Sequence, residues 1–405
     1  MNYEKTTIGL HCTVTSSKRF HASERTKDGV PFYCSKEIIK KVNGEKITEC
    51  DYISEDAYNR VKEEYGVPQT GDLLITTRGT YGIPYIYKEY DKFYFADGNL
   101  TWLKDFDDKL DAEYLYYWIN SYEGQKKIDA IAKGTAQKAV PIALLKEIEI
   151  VIPENPIQKK VVVILKNYDQ LIENNKKQIK LLEEAAQRLY KEWFIDLKFP
   201  GYENCKIVNG VPDGWTQKKI FDLGEIITGK TPSTSKEQYY GGNIPFVKIP
   251  DMHDCVFPIT TEVSLTNEGA NTQKNKFIPK NGIMVSCIAT VGLVNIAIEP
   301  CQTNQQINSI ILNNEQDLYY VYSSMKRLKE LLEGVGSNGA TMTNVNKTKF
   351  GKLEVVYPND ELRKLYYNYC KPIFEKIYAL SRSIKKLSQA RDCLLPKLMS
   401  GEIEV

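Results

Sequence analysis

Apolar side chains recur at alternating steps of three and four residues between Asn155 and Phe194, which is typical of a helix that packs along one seam. Local signals agree, because Asn155 is a favoured N-cap, Pro156 suits a first turn and Gln158 completes a capping box. A helix of roughly 40 residues would be about 60 Å long, more than a single globular domain needs. The seam positions are Val161, Leu165, Tyr168, Ile172, Asn175, Ile179, Leu182, Ala186, Leu189 and Trp193.

A second helix with the same register is predicted near the C-terminus. Pro153 and Pro358 stand 205 positions apart, and the same shift places Asp360 at the N-cap position of Asn155. It also carries the first seam onto Tyr366, Cys370, Ile373, Ile377, Leu380, Ile384, Leu387, Arg391, Leu394 and Leu398. The two prolines alone define the shift, and the seam positions of the two segments coincide at the same shift. We therefore predict an internal repeat whose two helices pack on each other.

The segments before the two helices share one α+β plan. A buried strand is predicted at Asp72–Thr77 and another at Ile283–Ser286, and each is followed by a glycine-containing turn. Amphipathic helices are predicted at Ala112–Lys127 and Asp317–Leu332. We therefore divide the chain into globular domains at residues 1–154 and 201–358, and helical segments at residues 155–200 and 359–405.

Composition changes this picture little. The chain has 405 residues, 42% hydrophobic and 26% charged, with a formal net charge of +2. Any basic surface must therefore be local. Nine scattered cysteines without a Cys-x-x-Cys pair predict reduced thiols in a cytoplasmic protein, and no run is long and apolar enough to predict a membrane span.

Catalytic patterns are weak throughout the sequence. The segment Gly224–Thr231 has Gly-Lys-Thr but lacks the first glycine of a phosphate-binding loop, so a polar loop after a strand explains it better. The three histidines are far apart, and the acidic or amide residue followed by Pro-Pro and an aromatic residue, which amino-methyltransferases use, is absent. We expect a chain without catalytic activity of its own.

Polar loops at matching places in the two halves suggest a nucleic-acid interface instead. Arginine suits guanine edges, asparagine and glutamine suit adenine, and lysine or hydroxyl groups suit phosphates. Each residue alone is explained as well by a solvated loop or a turn, so the recurrence carries the hypothesis. The candidates in the first half are Thr77, Arg78, Thr80, Tyr81, Lys133, Thr135, Gln137 and Lys138. Those in the second half are Lys230, Thr231, Ser233, Ser286, Thr290, Asn304, Gln305, Gln306, Ser337, Asn338, Thr341, Thr343 and Asn344.

Over essentially its whole length the chain resembles the DNA-specificity subunit of type I restriction-modification enzymes. The resemblance rests on the Trp215–Ser233 segment with Gly-Lys-Thr-Pro, on the twin helix openings at Pro153 and Pro358, and on the Leu394–Ile403 ending. The first half departs from the family pattern, because its start at Tyr3–Phe20 lacks the Gly-Lys-Thr-Pro loop. Contact residues there cannot be carried over from the motif.

The resemblance implies an α+β fold with two β-rich target-recognition domains, joined by two long helices in an antiparallel coiled-coil pair. It also implies double-stranded DNA, two methyltransferase subunits and, in the full complex, two motor-nuclease subunits as partners. S-adenosylmethionine, ATP and Mg²⁺ would belong to those partners and no cofactor to this chain. Two unlike domains on long helices predict a bipartite, asymmetric DNA site. The alternative is a helical scaffold that tethers two peptide-binding domains and binds no nucleic acid.

Overall fold

The computed structural model describes residues 3–134, 138–208, 210–328, 330 and 345–405. Its strands in the first half are β1 (Tyr3–Thr7), β2 (Thr13–Thr15), β3 (Val30–Tyr33), β4 (Asp51–Ile53), β5 (Leu73–Thr76), β6 (Pro84–Ile86), β7 (Tyr94–Phe95), β8 (Leu100–Lys104) and β9 (Glu149–Pro153). Those in the second half are β10 (Ile207–Val208), β11 (Val211–Pro212), β12 (Thr216–Lys219), β13 (Gly224–Thr228), β14 (Tyr240–Val247), β15 (Val263–Leu265), β16 (Ile283–Ser286), β17 (Val294–Ile296), β18 (Gln302–Thr303), β19 (Ile307–Leu312) and β20 (Glu354–Tyr357).

The helices follow in chain order. They are α1 (Ser35–Asn43), α2 (Glu55–Glu64), α3 (Ala112–Asn120), α4 (Tyr122–Ile131), α5 (Ile142–Lys146), α6 (Asn155–Phe194), α7 (Ile220–Leu223), α8 (Asn267–Asn271), α9 (Leu318–Lys326), α10 (Lys347–Gly351) and α11 (Asp360–Ser400). The two long helices predicted from the heptads are thus α6 and α11.

The chain forms two compact units. Unit 1 comprises Met1–Gln170 with Leu387–Val405, and unit 2 comprises Leu171–Lys386. Each unit therefore contains one β-rich part and a stretch of both long helices, whereas the predicted domain boundaries keep each helix whole.

The three sheets of unit 1 recur in unit 2, which has in addition the short pair β10-β11. Unit 1 has a four-stranded sheet in the order β2-β8-β5-β6, a three-stranded sheet β4-β3-β7 and the pair β1-β9. Unit 2 has the corresponding orders β13-β19-β16-β17, β15-β14-β18 and β12-β20. The relative direction of the strands is also the same in both units. In each three-stranded sheet one pair is parallel, β3 with β7 in unit 1 and β14 with β18 in unit 2. The predicted α+β fold and internal repeat are confirmed.

The two helices run antiparallel within each unit. In unit 2 the Asn175 side-chain amide donates to the Ser383 hydroxyl at 3.2 Å, and the Trp193 ring lies 5.7 Å from that of Tyr366. In unit 1 an ion pair of 2.6 Å joins Asp169 to Arg391. All predicted seam positions are buried or half-buried. Most of the apolar ones lie in or against the cores of the two units, and their burial stabilises the pair.

Several local predictions need correction. The Gln158 side chain does not form a capping box; it is fully buried and its amide donates to the carbonyls of Pro153 and Lys109. The carboxamide of Asn359, rather than Asp360, accepts from Leu362 N and caps α11. The first-half helix expected at Ala112–Lys127 is two helices. Its break falls at Ser121, whose extended backbone ends α3 while its hydroxyl caps α4.

Candidate nucleic-acid interface

Two polar loops of unit 1, far apart in sequence, meet at the end of strand β5. Arg78 and Lys133 each pair with Ala139 in short antiparallel bridges. Val140 N donates to Thr77 O at 2.9 Å, which extends the contact by one residue. The loop after β5 and the loop before α5 therefore form one surface.

The exposed side chains of this surface are mostly cationic. Arg78, Thr80, Lys133 and Lys138 are exposed, and no ion pair involves the three cations within the described part of the chain. Free cationic groups at a loop edge are suited to phosphate contacts. Tyr81 is half-buried against the core of unit 1. Of the remaining candidates, Thr77 is buried, and Thr135 and Gln137 lie outside the described residues.

Unit 2 repeats the frame of this surface. Val345 N donates to Cys287 O at 2.8 Å, as Val140 does to Thr77 in unit 1. The turn after β16 closes like the turn after β5: Gly292 N donates to Ser286 O at 3.0 Å, and Gly82 N donates to Thr76 O at 2.8 Å. Thr290 is exposed in this turn. The candidates Ser337, Asn338, Thr341, Thr343 and Asn344 lie outside the described residues.

Ser286 serves the turn rather than the surface. It is fully buried, and its hydroxyl accepts a hydrogen bond from Leu293 N at 2.8 Å. Thr76 plays the same part in unit 1, where its hydroxyl accepts from Ile83 N at 3.0 Å. Both side chains satisfy a buried backbone donor and hold the turn in shape.

A third loop of unit 2, residues 229–233, lies against the turn before β19. Lys230 N donates to Thr303 O at 2.9 Å, and the Thr231 hydroxyl donates to Gln305 Oε1 at 2.8 Å. Only glycine fits at position 229, because a β-carbon there would overlap Thr303 and Asn304. Lys230, Ser233 and Gln305 are exposed. Within the turn, the Asn304 amide donates to Gln306 Oε1 at 2.9 Å, so these two side chains support the loop.

Sequence reasoning missed a buried glutamine pair beneath this loop. Gln273 Nε2 donates to Lys230 O at 2.6 Å and to Gln302 Oε1 at 2.8 Å. Gln302 Nε2 in turn donates to Ala270 O at 3.0 Å. Both glutamines are almost fully buried, so their hydrogen bonds fix the loop backbone in a dry environment. A lone glutamine carries no sequence signal of such a role.

One hydroxyl–imidazole–carboxylate arrangement lies in unit 1, away from the loops. His11 is 2.8 Å from the Thr6 hydroxyl through Nε2 and 2.8 Å from Asp107 Oδ2 through Nδ1. Because Thr6 and His11 are both buried, a substrate does not reach the hydroxyl. The arrangement ties β1 to the loop before α3.

The described residues contain neither a candidate metal cluster nor a candidate membrane span. Among the described residues, no cluster of three or more histidine, cysteine or acidic side chains could hold a metal ion. None of the helices in the same part of the chain has the length and apolar character of a membrane span. All nine cysteines are free thiols.

Comparison with known proteins agrees with the repeat. A family model described as the type I restriction modification DNA specificity domain matches residues 2–184 and again residues 212–387. The type I restriction enzyme HindI specificity subunit of Haemophilus influenzae is 33% identical over 358 residues, which cover 72% of this chain and 77% of that protein. The MjaIX specificity subunit of Methanocaldococcus jannaschii is 28% identical over 351 residues, covering 83% of this chain and 78% of that protein.

A solved structure shares the fold. The crystal structure of the type I restriction-modification system S subunit from M. genitalium has a TM-score of 0.61 and 16% identity, and the match covers 98% of this chain and 96% of that one. At this identity the likeness concerns the fold alone. The family model and the HindI relative together decide the assignment: the chain belongs to the type I restriction-modification DNA specificity family.

Proposed function

We propose that this chain binds double-stranded DNA directly and selects a bipartite, asymmetric site for a type I restriction-modification complex. Family membership supports DNA recognition in general. The finer proposal rests on one observation: the same three-sheet frame occurs twice and presents unlike side chains from the same loops. An identical pair of surfaces would favour a palindromic site, whereas unlike surfaces favour two unrelated half-sites.

The exposed groups differ in the chemistry they offer. Unit 1 presents Arg78 and two lysines, and an arginine in the major groove is the usual partner of guanine. Unit 2 presents Gln305, which suits adenine, beside Lys230, which suits a phosphate. Each unit therefore combines at least one side chain able to recognise a base with at least one cation able to bind a phosphate.

The chemistry on the DNA would belong to partner subunits. We propose two methyltransferase subunits and, in the full complex, two motor-nuclease subunits, which would carry S-adenosylmethionine, ATP and Mg²⁺. The chain alone should then bind DNA and transfer no methyl group. Incubation with S-adenosylmethionine and duplex DNA tests this directly, and methylation by the rigorously purified chain would contradict the proposal.

Selection from a duplex library tests the two half-sites. The library carries two randomised segments separated by gaps of variable length, and bound duplexes are sequenced for the parent chain and for Arg78→Gln and Lys230→Gln. We expect two unrelated half-sites at one preferred gap. Arg78→Gln should weaken or relax one half, and Lys230→Gln should weaken binding through the other.

Arg60→Gln provides a matched control, because Arg60 is exposed on α2 in unit 1 and its replacement removes the same charge. It should leave both half-sites as they are. A continuous or palindromic motif, or one half altered by both loop variants, would refute the two-surface proposal. A chain that bound peptides and no duplex would instead be the scaffold of the alternative hypothesis.

A further inference from the structure

The strand ladders identify a counterpart in unit 1 for the Lys230 loop, although the sequence there lacks the Gly-Lys-Thr-Pro motif. Val14 of β2 faces Leu103 of β8, and Ile226 of β13 faces Ile310 of β19. Lys18 lies four residues after Val14 in unit 1, and Lys230 lies four residues after Ile226 in unit 2. The two lysines therefore follow equivalent strands at the same distance.

The turn that supports the loop is also shared. Asn99 precedes β8 and accepts at its carbonyl from Thr77 N at 2.8 Å; Gln306 precedes β19 and accepts from Cys287 N at 2.8 Å. In unit 2 the residue after the lysine, Thr231, donates to this turn. In unit 1 the residue after the lysine does the same, because Arg19 Nε donates to Asp97 Oδ2 at 2.7 Å.

An equivalent side chain also holds the lysine backbone in each unit. Tyr94 faces Phe32 in the parallel pair of unit 1, as Gln302 faces Phe246 in unit 2. The Tyr94 hydroxyl accepts from Lys18 N at 2.8 Å. Gln302 acts on Lys230 through Gln273. The equivalent strands thus support this backbone position differently: the Tyr94 hydroxyl binds Lys18 N directly, whereas Gln302 accepts from Gln273, whose amide binds Lys230 O.

Both cationic groups of the unit 1 loop are presented outward. Lys18 is exposed, with its ammonium 4.7 Å above the Tyr65 ring, and the Arg19 side chain is 69% exposed. The ion pair of Arg19 with Asp97 uses Nε, and among the described residues nothing binds the two terminal nitrogens, so they can donate to an anion. An exposed ion pair of this kind is weak and is readily exchanged.

We propose that Lys18 and Arg19 complete the DNA-contacting surface of unit 1, and that Tyr94 is the positioning residue that holds Lys18. This inference rests on the proposed function. Lys18 binds a backbone phosphate, and Arg19 binds a phosphate or a guanine edge of the half-site that Arg78 also contacts. The loop thus supplies in unit 1 what Lys230 and Thr231 supply in unit 2.

Salt dependence of DNA binding by the full chain tests Lys18. Each phosphate contact contributes about 0.9 to the slope of log K against log salt, so Lys18→Gln should lower the slope by about 0.9. Lys109→Gln removes the same charge from a lysine of unit 1 that pairs with Glu4, and it should leave the slope unchanged. Equal slopes for Lys18→Gln and the parent would overturn the assignment.

Arg19 is tested by its half-site. Arg19→Gln should weaken binding about tenfold or more on the half-site that Arg78→Gln alters, and should leave the other half-site unaffected. Arg19→Lys should retain most of the affinity if the contact is to a phosphate, and should lose it like Arg19→Gln if the contact is a forked one to guanine. Loss on neither half-site, or on the half-site of Lys230, would overturn the proposal.

Tyr94→Phe removes only the hydroxyl and keeps the ring that packs 5.8 Å from Phe20. As a positioning residue Tyr94 should matter for one half-site only: Tyr94→Phe should weaken binding there several-fold and leave the other half-site at parent affinity. A lower melting temperature with unchanged binding would mean a structural role alone and would overturn the positioning role.

The failure of this inference can be told from the failure of the proposed function. If the parent chain selects no duplex, DNA binding itself is refuted. If the parent selects two half-sites and Arg78→Gln alters one of them, while Lys18→Gln keeps the salt slope of the parent and Arg19→Gln weakens binding to neither half-site, only the present inference fails.

Discussion

Arg363 and Gln158 occupy equivalent places at the start of the two long helices, but only Arg363 carries a charge. Arg363 Nε donates to Pro358 O at 3.1 Å, as Gln158 Nε2 donates to Pro153 O at 2.8 Å. Arg363 also pairs with Asp317, and both side chains are almost fully buried. The Tyr357 hydroxyl completes the site by donating to Asp317 Oδ2 at 2.7 Å.

Replacing Arg363 by glutamine would make unit 2 resemble unit 1 at this position. The new amide can still donate to Pro358, but within the described part of the chain the Asp317 carboxylate keeps only the Tyr357 hydroxyl and becomes a buried, uncompensated charge. Removing one partner of a buried pair costs about 3–5 kcal/mol. The second pair of Arg363, with Asp360, adds little because that carboxylate is 91% exposed. We therefore expect Arg363→Gln to lower the stability of unit 2 by about 3–5 kcal/mol.

Hydrogen exchange followed by mass spectrometry separates the effect by region. Amides of β20 and α9 should exchange faster in Arg363→Gln, with those of β5 in unit 1 as the internal reference. Adding Asp317→Asn removes the stranded charge, so the double variant should recover about half of the loss or more. If the double variant exchanged as fast as Arg363→Gln alone, the ion pair would not be the source of the stability, and unchanged β20 amides would refute the reasoning altogether.

Three further predictions concern single positions. Gly79 and Ala289 occupy the same turn position in the two units, with φ of 74° and 63°. Gly79→Ala should therefore lower the stability of the folded chain by about 1 kcal/mol, and Ala289→Gly should not lower it. Thermal unfolding measures both effects. Burial raises the pKa of Glu183, so ionisation of this side chain lowers the stability of the folded chain as pH rises. Glu183→Gln should therefore raise the free energy of unfolding at pH 7, and the gain should disappear near pH 3. Urea unfolding at the two pH values measures the difference. Leu182→Asp should destabilise the folded chain by several kcal/mol, because Leu182 packs against the core of unit 2. Leu181→Asp, at a position that is 64% exposed, should change the stability by no more than about 0.5 kcal/mol. Equal melting temperatures for the two variants would contradict the assignment of Leu182 to the seam.

The two long helices could be predicted because their signal is periodic and local. Heptad spacing over roughly 40 residues can be recognised in one helix without knowledge of the helix that it packs against. The same spacing in the second half of the chain strengthens the prediction. The break at Ser121 could not be predicted in the same way. The apolar pattern continues across it, and a serine at this position is compatible with an unbroken helix as well as with the cap that it forms for α4.

The candidate site was predicted in outline but not residue by residue. Polar composition located the loops, yet it could not tell Ser286, whose hydroxyl holds a turn, from Thr290, which is exposed. It also passed over Lys18 and Arg19, because their equivalence to Lys230 and Thr231 is visible only in the register of β2 and β13 against their partner strands. Which side of a loop faces solvent depends on pairing with residues distant in sequence, and a single sequence does not carry that information.

The register of the helix pair shows the same division between local and distant information. Leucine and isoleucine at the seam would pack nearly as well after a slip of one heptad. The polar exceptions would not, because Asn175 would lose Ser383, and Arg391 would lose Asp169, which also accepts from the Tyr117 hydroxyl at 2.7 Å. A slip would therefore break the hydrogen bond of a half-buried amide and the ion pair of a half-buried carboxylate, at a cost that apolar contacts do not incur. The heptads determine that the helices pair, and the few polar contacts along the seam select the register in which they do so.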